Sequence, residues 1–433
     1  MKRPDIIVVA VLLTALLALF TLDLRHTAAD STPKIFFTAE GHGQLLAGAG
    51  QAEIHVPYPV VPAGYGPKDR HEVTSAAQPQ MARAIALQVG DAKLTLVSVD
   101  LLEIDSQLLE DLKPRLPSDA GEIWVCATHT HSGMGNYDPN LLAQIAGTGR
   151  FKKAAREALM DAIVSSTSSA LHSLQLSTAF ATAGLGPPTR DRSESADPVD
   201  SHYFQITFAG ADLPIAQLWN FAAHPTLVPR PATQLSSDFP GAFPARGPIV
   251  EAFFQSAVGN VSIRERVEPA AVAEWLDADA SQPWPVRKMP VTTITTPATT
   301  TSLAVAVARD ATGQTEIHAG PGFTRRASSN LVDRIAAPHS AQLSVARLGP
   351  LTLIAVPGEP TAAAGRALRE AVGDKDALIL GLCNGYVGYI ETPDRVAKGI
   401  GEAPRQYYDA SLLSRFTSAA SLAGHTLGLP TRN

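Results

Sequence analysis

Two histidines separated by one residue, His129 and His131, follow a short apolar run at 122–128. The chain there reads Thr128-His129-Thr130-His131-Ser132-Gly133, residues that the interior of a buried strand would not choose. Alternation along an extended chain would send both imidazoles to the same side. Ring nitrogens converging from a stiff element suit a divalent metal or a developing oxyanion. A His-x-His pair is common by chance, so its weight comes from other ligand-type residues in the same setting.

Three further residues have that setting. His224 follows the apolar run at 213–223, Glu359 breaks the one at 351–356, and Tyr389 comes after the one at 377–382. Open α/β sheets keep their ligand crevices at such carboxyl ends of strands. Two imidazoles and one carboxylate are a common catalytic zinc set that leaves a position open for water. Zinc can lower the pKa of bound water from roughly 15.7 to about 7. Tyr389 would be an unusual fourth ligand, since a phenol needs a nearby cation to bind as phenolate. Each residue alone has a plainer reading. Glu359 could be a solvated turn carboxylate, His224 a loop histidine before Pro225, and Tyr389 a core aromatic. Two other groups suit acyl transfer: Arg192 and His131 for a carbonyl oxygen gaining charge, and Ser262, after Gly259-Asn260, as nucleophile or substrate-hydroxyl partner. Their plain readings are a surface arginine and a turn serine.

The elements that must position these residues follow from periodicity. Residues 81–89 and 94–101 read as a hairpin with Gly90-Asp91 as its turn. Asp100 is expected to cap a helix at 106–115. An Ala-rich pattern of period 3.6 predicts a helix over 152–174 that packs on a sheet. Strands are expected at 177–183, 203–208, 303–308 and 377–382, with a second hairpin at 341–347 and 351–356. Residues 249–261 begin with helical character, and 264–301, rich in Pro, Thr and Ala, read as a surface excursion. Thr361 opens a helix over 362–372. The sequence has no internal repeat, phosphate loop, Gly-x-Ser-x-Gly elbow or basic stripe. The expected architecture is one large α/β domain at 45–433, with mixed β-sheets flanked by helices.

Composition sets the frame. Of 433 residues, 45% are hydrophobic and 18% charged, enough for a sizeable core. A net charge of −6 gives no reason to expect nucleic acid. Two cysteines, Cys126 and Cys383, exclude a disulfide framework and a four-thiolate zinc site. They read as buried thiols, or as a single bridge if the compartment oxidises. Lys2 and Arg3 precede an apolar run at 6–20, and Thr27-Ala28-Ala29 offers a small-residue cleavage site. Residues 1–29 therefore read as a signal peptide or membrane anchor, and 30–44 as a tether. Either places the body across a membrane from the cytoplasm: periplasmic, secreted or membrane-anchored.

From about 47 to 411 the sequence resembles the catalytic domain of the neutral, non-lysosomal ceramidase family. The matching motifs are Thr128–Gly133, Asn220-Phe-Ala-Ala-His224, Val356-Pro-Gly-Glu359 through Arg366, Asp191-Arg192-Ser193, Gly259-Asn-Val-Ser262 and Asn384 through Pro393. The resemblance implies a zinc amidase that cleaves ceramide to sphingosine and a fatty acid. It implies Zn2+ ligands at His129, His224, Glu359 and Tyr389, with His131 and Arg192 binding the reacting amide. Ser262 matches the serine the family needs for activity, and Tyr407 its second tyrosine. Ile263-Arg264 stand where the family has Pro-Asn. The family's C-terminal β-sandwich, and the acidic residues of its second metal site, have no counterpart after Ser411. The expectation is a zinc-dependent amidohydrolase acting on the N-acyl bond of ceramide or a related N-acyl lipid at a membrane surface. The alternatives are a hydrolase of another amide or an ester, and a non-catalytic envelope protein that keeps the fold.

Overall fold

The computed structural model describes residues 22–430, apart from 28–31, 194–197, 212, 244–246, 280–293, 297–300, 312–313, 320–323, 327–337 and 339. The apolar run at 6–20 and the cleavage-type residues Ala28 and Ala29 lie outside the described residues. Among the described residues no helix is long and apolar enough to cross a membrane.

Three five-stranded sheets form the body. The first runs Glu122–Ala127, Ala92–Val99, Met81–Val89, Leu45–Glu53, Gln175–Leu176. The second runs Val250–Gln255, Pro214–Phe221, His202–Ala209, Thr178–Leu185, Ile294–Thr296. The third runs Lys34–Gly43, Thr301–Ala311, Ser340–Leu348, Leu351–Ala355, Leu378–Leu380. Each is antiparallel except for one parallel pair at an edge: Leu94 beside Glu122, Ala216 beside Val250, and Leu353 beside Leu378. A parallel pair needs a crossover between its strands. Helix Leu108–Leu112 lies in the first crossover and helix Ala362–Val372 in the third.

One apolar core joins the three sheets, with Leu96 and Trp124, Leu218 and Phe254, and Val305 and Leu353 all in the same cluster. Helices cover the outer faces. Lys153–His172 sets Ala155, Leu159 and Ile163 against Ala82, Ala84 and Ala86. Ala362–Val372 and Leu412–Thr426 cover Leu343, Val345 and Ile354. In Pro269–Asp279, Val272 and Leu276 join Trp219 and Phe253. The mixed α/β architecture is the one expected.

Several local expectations are corrected. The stretch read as a tether contains the strand Lys34–Gly43, paired with Thr301–Ala311, because Phe37 and Ala39 alternate inward against the core. Leu22–Thr27 is also a strand, paired with Gln314–Ala319. Residues 249–261 are not helical at their start. Val250–Gln255 is a strand with apolar residues on both faces, which hides the alternation. The excursion at 264–301 holds the helix Pro269–Asp279 and the strand Ile294–Thr296. Asp100 caps no helix. It accepts from Met81 N and Ser237 Oγ and pairs with Arg83 at 3.0 Å. Cys126 and Cys383 are joined as a disulfide, which ties the edge strand of the first sheet to the chain leaving the third.

Candidate metal centre

The parallel edge pairs of the three five-stranded sheets release their chains toward one point. Thr128 to His131 leave the first sheet, Ala222 to His224 the second, and Val356 to Glu359 and Gly381 to Tyr389 the third. Three side-chain amides fix these ends to one another. Gln255 Nε2 donates to Thr128 O at 3.0 Å and to Ala223 O at 2.9 Å, bridging the two histidine segments. Asn220 Nδ2 donates to Phe254 O at 3.1 Å and Ile379 O at 2.8 Å. Asn384 accepts from Val125 N at 2.7 Å and donates to Ile123 O at 3.1 Å. Such bonds net roughly 1 kcal/mol each, and leaving the buried groups unmet costs about 1–3 kcal/mol.

Strand alternation is not what aims His129. The strand stops at Ala127, and His129 sits in the left-handed region at φ 68°. A non-glycine residue held there marks a backbone over-determined by its surroundings. Its ring and those of His131 and His224 offer ligand atoms all within 4.8 Å of one another.

Backbone carbonyls set the tautomers. Nδ1 of His129 bonds Leu102 O at 2.7 Å, Nδ1 of His131 bonds Gly64 O at 3.0 Å, and Nδ1 of His224 bonds Val261 O at 2.9 Å. Each Nδ1 therefore carries the proton, and each Nε2 turns a lone pair inward. Glu359 Oε2 lies 3.2 Å from Nε2 of His129 and 3.2 Å from Nε2 of His224. These four atoms, the three Nε2 and Glu359 Oε2, are buried and lack hydrogen-bond partners. Buried polar atoms are nearly always satisfied, so four orphans at one point need an explanation. A metal ion held by the three imidazoles would supply one.

The electrostatics agree. Burial, then the neighbouring His129 and His224, hold His131 well below the usual histidine range. Burial and the Arg192 charge lower His224 to about 4. Burial would raise Glu359, but the facing imidazoles outweigh it and hold the carboxyl well below its ordinary value. Deprotonated His131 and His224 and an ionised Glu359 are the forms that metal binding requires.

The other expected residues divide into those that line the cavity and those that do not. A cavity of about 780 Å³ is lined by His129, His131, Glu359, Tyr389 and Tyr407. Tyr389 pairs with Glu359 across a short parallel bridge. Its hydroxyl accepts from Arg192 Nη2 at 2.6 Å, while Arg192 Nε donates to Glu402 Oε1 at 3.0 Å. Burial, and then Glu359, raise Tyr389 above its ordinary value and push Tyr407 up to about 12, so both phenols keep their protons at neutral pH. Ser262 is on the strand Val261–Ile263, half-buried and paired with Arg190, and is not among the residues that line the cavity. Its neighbour Val261 supplies the carbonyl that orients His224. The preceding Gly259 packs so tightly that a Cβ there would meet Glu359 O at 2.6 Å.

Sequence reasoning missed three groups. Tyr386 Oη donates to Glu359 Oε1 at 2.6 Å. Glu402, fully buried, holds Arg192. Gly64, at φ +99°, brings its carbonyl to His131, and a Cβ there would strike the ring at 2.6 Å. Tyr386 lay within the motif that carries Tyr389, whereas Glu402 had no spacing signal.

The chain matches no protein-family model, and no curated protein matches it in sequence. Solved structures do match. Neutral ceramidase from Pseudomonas aeruginosa superposes with a TM-score of 0.70 at 19% identity, covering 90% of this chain and 76% of that one. A ceramidase complexed with C2 gives 0.72 at 18% identity, with the same coverages. At such identities the likeness is one of architecture, and the fold of this chain is that of neutral ceramidase.

Proposed function

We propose that this protein is a metal-dependent amidohydrolase that cleaves the N-acyl bond of ceramide or a related N-acyl lipid, with zinc as the metal. The observation that carries the reading is the set of four unpartnered buried atoms on His129, His131, His224 and Glu359. The fold shared with the two ceramidase structures supports the substrate class. His129, His224 and Glu359 would hold the ion, with Tyr389 beside them. When bound, the ion supplies Lewis-acid polarisation of the amide carbonyl and a nucleophile at neutral pH.

The chain's own residues would do the rest. Arg192, fixed by Glu402, presents Nη2 at the Tyr389 hydroxyl, where it can stabilise negative charge on the carbonyl oxygen or on the phenol. His131, with its proton committed to Gly64 O, faces the cluster as a lone-pair donor. That suits a ligand or general base better than the oxyanion partner expected from sequence. Tyr389 and Tyr407, both protonated at the cavity wall, can pass a proton to the departing amine. Ser262 would support the site through the strand whose Val261 carbonyl orients His224.

We also place the protein outside the cytoplasm, near a membrane surface. The N-terminal apolar run and the Cys126–Cys383 disulfide support this, since disulfides persist in oxidising compartments. A fatty-acid release assay on short-chain ceramide, N-acyl amino acids and acyl esters tests the reading. Amide cleavage that a chelator abolishes and zinc restores is the expected result. Inertness toward all the amides, with metal bound, would overturn it and leave a binding protein of the same fold.

A further inference from the structure

We propose that Glu103 and Asp138 form a subsite for a cationic amino group of the substrate, inside the cavity that also holds the imidazole–carboxylate cluster. The inference rests on the proposed hydrolysis for its meaning as substrate recognition.

Both carboxyl groups are buried and line the cavity. Burial, then Asp138 and Asp105, raise Glu103 well above the carboxylate range, and burial, then Asp105, raise Asp138 to about 7. The pair is held in place: the Tyr137 hydroxyl donates to Glu103 O at 2.9 Å, and Asn140 N donates to Asp138 Oδ1 at 2.7 Å. Glu103 Oε2 receives no N–H or hydroxyl donor. Glu103 also adjoins Leu102, whose carbonyl orients His129, so one loop sets both the metal ligand and the acidic wall.

A second observation of different chemistry points the same way. Thr148 is buried, lines this cavity, and its Oγ1 has no partner. A ligand with several N–H donors would satisfy both orphan oxygens.

The charge count selects the ligand's sign. Arg156 pairs with Asp105 and Asp111. Asp111 is half exposed, so the buried carboxyls here are Glu103, Asp105 and Asp138, against that one buried guanidinium. Arg405, also on the cavity wall, is exposed and shares Glu402 with Arg192. A cationic ligand group would balance the buried carboxyls that Arg156 leaves over. The acids are not arranged as metal ligands. Among the described residues, the group of ligand atoms that converges for an ion is on His129, His131 and His224. The substrate class that fits is an N-acylated amine whose polar part carries a second, protonated amino group.

Calorimetric binding of 1,4-diaminobutane and 4-amino-1-butanol to the metal-loaded full chain tests this without relying on turnover. The two probes share one amine and differ only in ammonium against hydroxyl. The wild type should bind the diamine about tenfold more tightly or better, the scale of one charge-assisted hydrogen bond. Glu103→Gln with Asp138→Asn should reduce that preference to about twofold or less. Thr148→Val, milder for folding, should lower it in the same direction. Equal binding of the two probes by the wild type, or an unchanged preference in these variants, overturns the proposal. Selective diamine binding without any amide cleavage would sink the hydrolase reading and leave the subsite standing. Cleavage of neutral ceramide with no diamine preference would sink the subsite alone.

Discussion

His129 Nε2 and Glu359 Oε2 face each other at 3.2 Å in the interior, with Nδ1 of the histidine and Oε1 of the glutamate each tied to an outer partner. Those partners are the Leu102 carbonyl and the Tyr386 hydroxyl, so both inner atoms are oriented before any ligand arrives. Tyr386→Phe should therefore weaken metal binding by roughly 10–100-fold, as loss of an outer-shell contact does, and Glu359→Gln should weaken it more. Competition against a chromogenic chelator measures both. Equal affinities for wild type and Tyr386→Phe would remove the hydroxyl from the account.

The Arg192 guanidinium bridges Glu402 and Tyr389. If it meets charge that builds in the transition state, Arg192→Lys should lower kcat by about 10²–10³-fold with little change in KM. Glu402→Gln keeps an acceptor for Nε but removes its charge, and should lower kcat less. A loss confined to KM in both variants would assign the arginine to substrate binding instead.

How much of this was legible beforehand depended on what each residue touches. The paired strands at 81–99, the helix near 153–172 and the Thr361 cap followed from short-range patterns, and the structure has them. The expected ligands His129, His224 and Glu359 come together because each ends an apolar strand, a feature written locally. The strand Val250–Gln255 was hidden because burial on both faces erases its alternation. Gln255 and Glu402 were invisible for a different reason. Their work is to join segments far apart in the chain, and no local pattern records a partner in another sheet. The left-handed turn at His129 was equally unreadable, since histidine does not announce a positive φ as glycine does.

The disulfide joins two segments 257 residues apart and sits in the core that the three sheets share. Replacing both Cys126 and Cys383 by Ser should cost about 2–4 kcal/mol of stability. Urea midpoints of the oxidised wild type and the double variant give the difference. The variant should also retain less metal, because Asn384, next to Cys383, anchors the first sheet. An unchanged midpoint would show that packing alone holds these ends.

Acid should destabilise the metal-free protein through His224. Its imidazole protonates near the ordinary 6.5 in the unfolded chain but only near about 4 when folded. Between those values the unfolded state binds more protons, so stability is full above about 6.5 and falls as pH drops toward 4. The loss from this group is on the order of 3 kcal/mol. Unfolding midpoints at a series of pH values should show that slope, and His224→Asn should flatten it. A slope identical in the two proteins would place the acid sensitivity elsewhere.

The most direct measurement is the metal content of the purified full-length protein by mass spectrometry, beside His129→Ala and His224→Ala. We predict about one divalent ion per wild-type chain, with zinc dominant, and a large loss in both variants while the fold persists. A wild type without metal that takes up none on exposure to zinc, or variants that hold as much as the wild type, would contradict the account.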